Sequence, residues 1–191
     1  AMIDADAVAE VEAVTLTANT LLDAGTEDVS FASTVDGGYS LHVRSAGITN
    51  FAGAVGATQA LASLQVDGDG MTQVNGYSVT TTGTQTFDDM VSLGHNTTLT
   101  ASNVTFNAPV AGAGNLSIVG EATLHGTSVS TSGAQHYSGA VTLTADAILS
   151  TSGSAAVTFG GAVNGAYNLT VNSAGATIFA GAVGFVRCTR C

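Results

Sequence analysis

Apolar residues recur along this chain in short triplets, each holding one polar residue between two apolar ones. Val29-Ser-Phe31, Leu41-His-Val43 and Val104-Thr-Phe106 are examples, and Gly, Asn, Ser or Ala separate successive triplets. Side chains in a strand alternate between its two faces, so both apolar members of a triplet point to one side and the middle residue points to solvent. The pattern predicts many short strands with one buried face each.

Similar sequence segments recur along the chain, which indicates a repeat architecture. Residues 31–56 recur 128 positions later and end at Gly184, while residues 78–87 recur 50 positions later. The copies define repeat units at 14–90, 91–140 and 141–185. Residues 1–13 form a predicted leader or N-terminal cap, and residues 186–191 form a tail outside the repeat.

The spacing of aromatic residues predicts how the units stack. Phe31 precedes Phe51 by 20 residues, Phe159 precedes Phe179 by 20, and Phe87 precedes Phe106 by 19. A turn of about 20 residues that holds three short strands is typical of a parallel β-helix, in which equivalent side chains of successive coils stack inside. We predict an all-β, parallel β-helix of about eight or nine coils. A β-sandwich, with strands every 8–12 residues, is the alternative.

Composition and charge narrow the choice of partners. The 191 residues carry a formal net charge of −11, and arginine supplies the three basic residues because the chain has no lysine. Without a basic patch to neutralise phosphates, neither nucleic acid nor anionic lipid is an expected partner. No apolar run approaches the ~20 residues that span a bilayer. The sequence carries no visible secretion signal, and we expect a natural one to lie outside it.

Several stretches resemble the repeats of very large bacterial surface proteins of the filamentous-haemagglutinin-like and autotransporter-passenger kind. The resemblance lies in VTFGGAVNGAYNLTV at 157–171, TGTQTF at 82–87 and SGAQHY at 132–137, and it extends over about 14–185. It implies a right-handed parallel β-helix, secretion, and a cell-surface or adhesin-stalk role without a catalytic motif. The tail FVRCTRC at 185–191 departs from the repeat.

Histidines and paired acids are the candidates for catalysis. The four histidines are His42, His95, His125 and His136. They lack the H-x-H or H-E-x-x-H spacing of metal sites, and scattered solvent-facing histidines are the simpler interpretation. Asp88-Asp89 is a dense carboxylate pair of the kind that performs acid–base chemistry on polysaccharides. A hydrolase or lyase, metal-dependent or not, with a site on an outer face or at an oligomer interface, is therefore an alternative function.

Two further pairs are weak candidates for metal binding. Asp67-Gly-Asp69 could form a calcium turn, although it lacks the repeated Gly-Asp pattern of calcium-binding β-helices. Cys188 and Cys191 form a single C-x-x-C, which could bind zinc but has no second pair. Solvated turn acids and an incidental cysteine pair are the simpler interpretations. We predict no required cofactor, with zinc or calcium as the weak possibilities.

Thr80, Thr82, Thr84 and Thr86 alternate in the sequence and could form a line of outward hydroxyl groups. Such a line could order water, so a glycan- or ice-binding module is a second alternative, beside ordinary strand preference for threonine.

The sequence as a whole predicts a structural or adhesive segment of a bacterial cell-surface or secreted repeat protein, without catalysis of its own. Unpaired strand edges pair readily, so we expect self-association through an open edge of the β-helix. A glycan or another host-surface ligand is a further possible partner.

Overall fold

The computed structural model describes residues 2–4, 9–11, 13–184 and 187–189, which contain strands and no helix. The short strands form because the period-two triplets bury Val, Leu, Ile and Phe on one side while Gly-, Asn- and Ser-rich corners turn the chain. The strands in chain order are β1 (Met2–Asp4), β2 (Ala9–Val11), β3 (Val14–Thr15), β4 (Thr20–Asp23), β5 (Val29–Phe31), β6 (Val35–Asp36), β7 (Ser40–Arg44), β8 (Ile48–Phe51), β9 (Ser63–Asp67), β10 (Met71–Val74), β11 (Ser78–Thr80), β12 (Thr84–Phe87), β13 (Met90–Leu93), β14 (Thr97–Phe106), β15 (Val110–Gly112), β16 (Leu116–Leu124), β17 (Ser128–Thr131), β18 (Gln135–Tyr137), β19 (Val141–Leu143), β20 (Ala147–Thr151), β21 (Val157–Phe159), β22 (Val163–Asn164), β23 (Asn168–Asn172), β24 (Thr177–Phe179) and β25 (Arg187–Thr189).

The chain winds as a parallel β-solenoid of about 8 turns of about 20 residues, which confirms the predicted all-β, parallel fold. Each turn contributes to three faces. Face A runs from β1 through β4, β7, β9 and β12 to the second halves of β14 and β16, then to β19 and β22. Face B is the ten-stranded sheet from β2 to β25. Face C starts with β3 and β6, which isolated bridges of Val55 connect to β11. It continues through the first halves of β14 and β16, then β18 and β21, to β24. The right-handed winding remains a prediction.

Both ends of the described chain take part in this pairing. In the predicted leader, β1 pairs with β4 and β2 pairs with β5, so these segments add strands to faces A and B. In the predicted tail, β25 pairs with β23 and continues face B.

Aromatic residues stack inside the solenoid at the predicted one-turn spacing. The rings of Phe31 and Phe51 stack on face B with centroids 5.1 Å apart. A second stack, Phe87 with Phe106 at 5.6 Å, lies on face A. Face C holds the third stack, in which Phe159 lies between Tyr137 and Phe179. The core is thus held by three separate aromatic stacks, one on each face, rather than by one continuous ladder.

The sequence repeat does not return the chain to the same face. Residues 84–87 of the first copy of the 50-residue repeat form β12 on face A, whereas the matching residues 134–137 include β18 on face C. The sequence repeat therefore corresponds to one strand and the corner next to it, not to a whole turn. The same segment can lie on any of the three faces, because every face buries alternate side chains of its strands.

Two buried glutamines occupy matching positions in the two copies. Each Nε2 group donates to the carbonyl oxygen six residues back and to the one fifteen residues ahead. The Oε1 atom of Gln135 accepts a hydrogen bond from the Tyr137 hydroxyl at 3.1 Å. The Oε1 atom of Gln85 has no hydrogen-bond partner, because Phe87 stands where the other copy has tyrosine.

Because only Tyr137 supplies a hydroxyl group to its glutamine, we expect adding a hydroxyl at Phe87 and removing the one at Tyr137 to change the free energy of unfolding in opposite directions. Phe87→Tyr is expected to raise the free energy of unfolding by about 1 kcal/mol, since its hydroxyl can donate to the orphan oxygen of Gln85. Tyr137→Phe is expected to lower it by a similar ~1 kcal/mol. Urea denaturation followed by circular dichroism measures both. A loss of stability in both variants would show that packing outweighs the hydrogen bond.

Thr72 is one of two buried threonines that pair in register on face B, the other being Thr49 on the preceding turn. The Oγ1 atom of Thr72 is buried without a hydrogen-bond partner, and its neighbour on the next turn is Val91. Thr72→Val keeps the branched shape and removes the unpaired hydroxyl, so we expect the free energy of unfolding to rise by about 1–2 kcal/mol. Thr81→Val is the matched control, because the Thr81 hydroxyl donates to the Gly83 carbonyl and its loss is expected to destabilise. Equal effects of the two changes in urea denaturation would contradict this account.

Candidate functional site

The structure brings one predicted histidine and four predicted acids together at one corner of the solenoid. His42 lies on β7 and Asp67 at the end of β9, on adjacent strands of face A. The Nε2 atom of His42 is 2.8 Å from Oδ2 of Asp67, and both side chains are partly exposed. His42 points outward, as its position between two buried residues predicts.

Arg44 lies beside the His42–Asp67 pair and contacts carboxylates on the turns before and after its own. The Nε atom of Arg44 is 3.4 Å from Oδ1 of Asp67, and its Nη1 atom is 3.6 Å from Oδ2 of Asp23. Arg44 is the only arginine within residues 13–184, and the chain has no lysine. Because the Arg44 side chain is half exposed, we expect its ion pairs to contribute little to stability, on the order of 1 kcal/mol or less.

Neutral amides carry the network to the next two turns. The Nε2 group of Gln65 donates to the carboxylates of Asp67 and Asp88, at 3.4 and 3.1 Å. The Nδ2 group of Asn107 donates to the other oxygen of Asp88. A chain of side-chain hydrogen bonds and ion pairs therefore runs along the solenoid axis over five successive turns, from Asp23 on β4 to Asn107 after β14.

The corner between faces A and B buries a carboxyl group. Asp89 is only 5% exposed, and its Oδ1 atom accepts a hydrogen bond from the backbone N–H of Asp69 at 2.9 Å. Asp69 has a positive φ of 67°, a conformation that Asp tolerates better than most residues. Burial raises the pKa of Asp89, and the negative charges of Asp67, Asp69 and Asp88 raise it further, while the hydrogen bond opposes this change.

The raised pKa gives a pH-dependent prediction. Between the unfolded pKa of Asp89 and its higher folded pKa, the folded state binds more protons, so stability falls as the pH rises through this range. Asp89→Asn keeps an oxygen acceptor and removes the charge. We therefore expect the variant to be more stable than the wild type at neutral pH and to lose this advantage near pH 4, as measured by thermal unfolding across pH.

Asp146 supplies a control of opposite sign. Hydrogen bonds from the backbone and side chain of Asn168 lower the pKa of Asp146. Its contribution to stability is present above the unfolded pKa and is lost as the pH falls toward the lower folded pKa. Asp146→Asn is expected to destabilise at neutral pH and to have little effect at low pH. A stabilising effect of both substitutions at neutral pH would point to net charge instead of these local environments.

The other histidines lie apart from this network. The His95 ring stacks on Tyr77, with centroids 4.6 Å apart, at the corner between faces B and C. The Nδ1 atom of His125 is 2.8 Å from the hydroxyl of Thr144 on face A. His136 points outward from face C. The structure therefore groups His42 with the acids and leaves the other three histidines separate from it.

The metal-binding candidates form no metal site among the described residues. Within residues 2–4, 9–11, 13–184 and 187–189, no three His, Cys, Asp or Glu side chains are placed to hold a metal ion. Cys188 lies on β25, opposite Leu169, and Cys191 lies outside the described residues. Zinc and calcium stay predictions for which the structure gives no support.

The four alternating threonines do not form one line. Thr80 ends β11 on face C and Thr84 begins β12 on face A, because a corner lies between them. A different row of threonines forms across turns instead. It occupies one outward column of face A on four successive turns and consists of Thr86, Thr105, Thr123 and Thr142. Glycan or ice binding stays a prediction.

The sequence analysis missed Asp23, Arg44, Gln65 and Asn107 as members of the network. A signal for most of them exists in the sequence. Asp23, Arg44, Asp67, Asp88 and Asn107 each follow the last buried residue of a face A strand, at intervals of 19–23 residues. The residue directly after the last buried residue of each such strand therefore faces the same outer corner on these five turns.

The fold places this chain in the class of parallel β-solenoid repeat proteins. No protein-family model matches the chain, and neither a curated protein nor a solved structure matches it. In the part of the chain that the structure describes, no helix is long and apolar enough to cross a membrane.

Proposed function

We propose that this chain is a structural and adhesive segment of a secreted or bacterial cell-surface protein. The observation that carries the proposal is the parallel ladder, in which successive turns stack over one continuous buried core while the outward residues vary from turn to turn. Such a core supports a stiff spacer, and stacked turns leave long outer faces for contact with other molecules. The likeness of residues 157–171 to bacterial surface repeats also supports this function.

An adhesion experiment tests the proposal. The chain is displayed on a non-adherent bacterium, and attachment to epithelial cells and to a panel of immobilised glycans is measured. We expect saturable attachment without release of sugar products. The matched control is display of the Phe159→Ala variant, which removes a ring from the core and leaves the outer residues unchanged. Attachment is compared at a temperature at which circular dichroism shows the wild type folded and Phe159→Ala unfolded, and equal attachment there would refute adhesion by the folded faces.

We also propose self-association through the edges of the solenoid. A parallel ladder presents unpaired backbone groups at an exposed edge, and such edges pair with other chains. We expect native mass spectrometry at micromolar concentration, with reductant present, to show oligomers. A strictly monomeric protein under these conditions would contradict this proposal without affecting the adhesive one.

Hydrolysis is a second candidate function, and the contact between His42 and Asp67 favours it. A carboxylate that holds an imidazole orients the ring and supports proton transfer, and Asp88 lies one turn further along. If the protein is a glycoside hydrolase, incubation with soluble polysaccharides should release reducing ends. His42→Gln should abolish this release, whereas His136→Gln should leave it unchanged. Absence of product from the wild-type protein on such a panel would favour the adhesive proposal.

A further inference from the structure

Four apolar side chains form an outward column on face B. Ile48, Met71 and Met90 pair in register on three successive turns. Pro109 continues this column on the fourth turn, because the residue after it, Val110, pairs with Val91, the residue after Met90. The residue that follows each of the four points into the core and is buried. We call Ile48, Met71, Met90 and Pro109 the apolar stripe.

The apolar stripe departs from the rest of this face. The neighbouring outward column on the same four turns is small or polar, with Asn50, Gln73, Ser92 and Ala111. Met90 is 45% exposed. At a strand spacing of ~4.8 Å, four successive turns place the stripe over about 15 Å along the axis. Contiguous apolar surface marks interaction sites, and methionine adapts its shape to different partners.

Carboxylates flank the apolar stripe on one side. The corner that leads from face A into the stripe carries Asp69, which is exposed, together with Asp88 and Asp89. Arg44, the one arginine within residues 13–184, is already engaged by Asp23 and Asp67. Burial is the main cause that raises the pKa of Asp89, and the negative charges of Asp67, Asp69 and Asp88 at this corner raise it further.

We propose that the apolar stripe and the adjacent acidic corner dock a basic amphipathic peptide segment of a partner protein. Apolar side chains of the partner cover the stripe, and its lysine or arginine side chains meet Asp69 and Asp88. A second copy of this chain fits poorly, since it brings a net charge of −11 and no lysine. A neutral glycan would leave the carboxylates without a counter-charge. The proposal goes beyond the adhesive function and does not depend on it.

Binding of three labelled peptides to the full chain tests the proposal by fluorescence anisotropy. The probe is a peptide of alternating leucine and lysine, compared with alternating leucine and glutamate and with alternating serine and lysine. We expect only the leucine–lysine peptide to bind with micromolar affinity, and we expect added salt to weaken the binding because exposed charges are screened. The double variant M71S/M90S should weaken it by at least about tenfold, and D69N/D88N should reduce its dependence on salt.

A matched corner three turns beyond Met90 supplies the control. Ile148 occupies the same outward column of face B, and Asp146 lies at the corner before it. I148S and D146N should leave binding unchanged, with the fold of every variant checked by circular dichroism. Equal losses in these controls, equal binding of the serine–lysine or leucine–glutamate peptide, or unchanged binding by M71S/M90S would overturn the proposal. Loss of oligomers in M71S/M90S would assign the stripe to a second copy and overturn it as well.

Discussion

Replacing Phe159 by alanine is expected to lower the free energy of unfolding by about 3–5 kcal/mol. The Phe159 ring is fully buried on face C, between Tyr137 at 5.3 Å and Phe179 at 4.8 Å between ring centroids. Truncation removes two stacking contacts and leaves a cavity that neighbouring turns cannot fill without breaking their ladder of hydrogen bonds. Urea denaturation followed by circular dichroism measures the loss.

Alanine substitutions at two other aromatic residues serve as comparisons for the stability loss expected from Phe159→Ala. Phe179 belongs to the same stack but is only partly buried, so Phe179→Ala should cost clearly less than Phe159→Ala. Tyr167 is 41% exposed at a corner, and Tyr167→Ala should change stability by about 0.5 kcal/mol or less. A cost for Tyr167→Ala close to that for Phe159→Ala would contradict the assignment of stability to the interior stacks.

The second large effect is expected at Gly120, where β16 bends from face C to face A. Gly120 has a φ of +120°, which side chains other than glycine rarely adopt, and an added Cβ would overlap the carbonyl oxygen of Ala101 on the preceding turn. Gly120→Ala therefore combines backbone strain with a clash against backbone, and we expect it to cost about 2–5 kcal/mol. Thermal unfolding and urea denaturation measure this cost.

Gly153 separates the two causes. It also has a positive φ, of +60°, but an added Cβ there would meet no atom within 4 Å. Gly153→Ala should cost about 1 kcal/mol, which is the strain of the left-handed conformation alone. If both substitutions have the same effect, close packing of one turn on the next is not what requires glycine at position 120.

The docking proposal uses only one part of the outer surface. Its site occupies the corner and stripe on turns that contain Met71 and Met90, whereas His136 on face C and the threonine row on face A lie outside it. This separation follows from the solenoid itself, since each turn offers three outer faces around one buried core.

The site could be predicted from the sequence only in part. His42 faces outward as expected, because its flanking residues Leu41 and Val43 are both buried. The contact between His42 and Asp67 was not foreseen, since the two are 25 residues apart and the corners between them differ in length from the corners of other turns. The sequence analysis made no prediction for Gln85, whose buried Nε2 group donates to a carbonyl oxygen of a neighbouring turn.

The sequence by itself determined the alternation of buried and exposed residues, the turn of about 20 residues and the pairing of aromatic residues such as Phe31 with Phe51. These properties follow from side-chain alternation within a strand and from spacing along the chain, which are local. The tertiary structure alone decided which face each repeated segment occupies and which outward residues become neighbours. The physical reason is that the alignment of one turn on the next depends on corner length and on backbone conformations such as the positive φ of Asp69, neither of which alternates with period two.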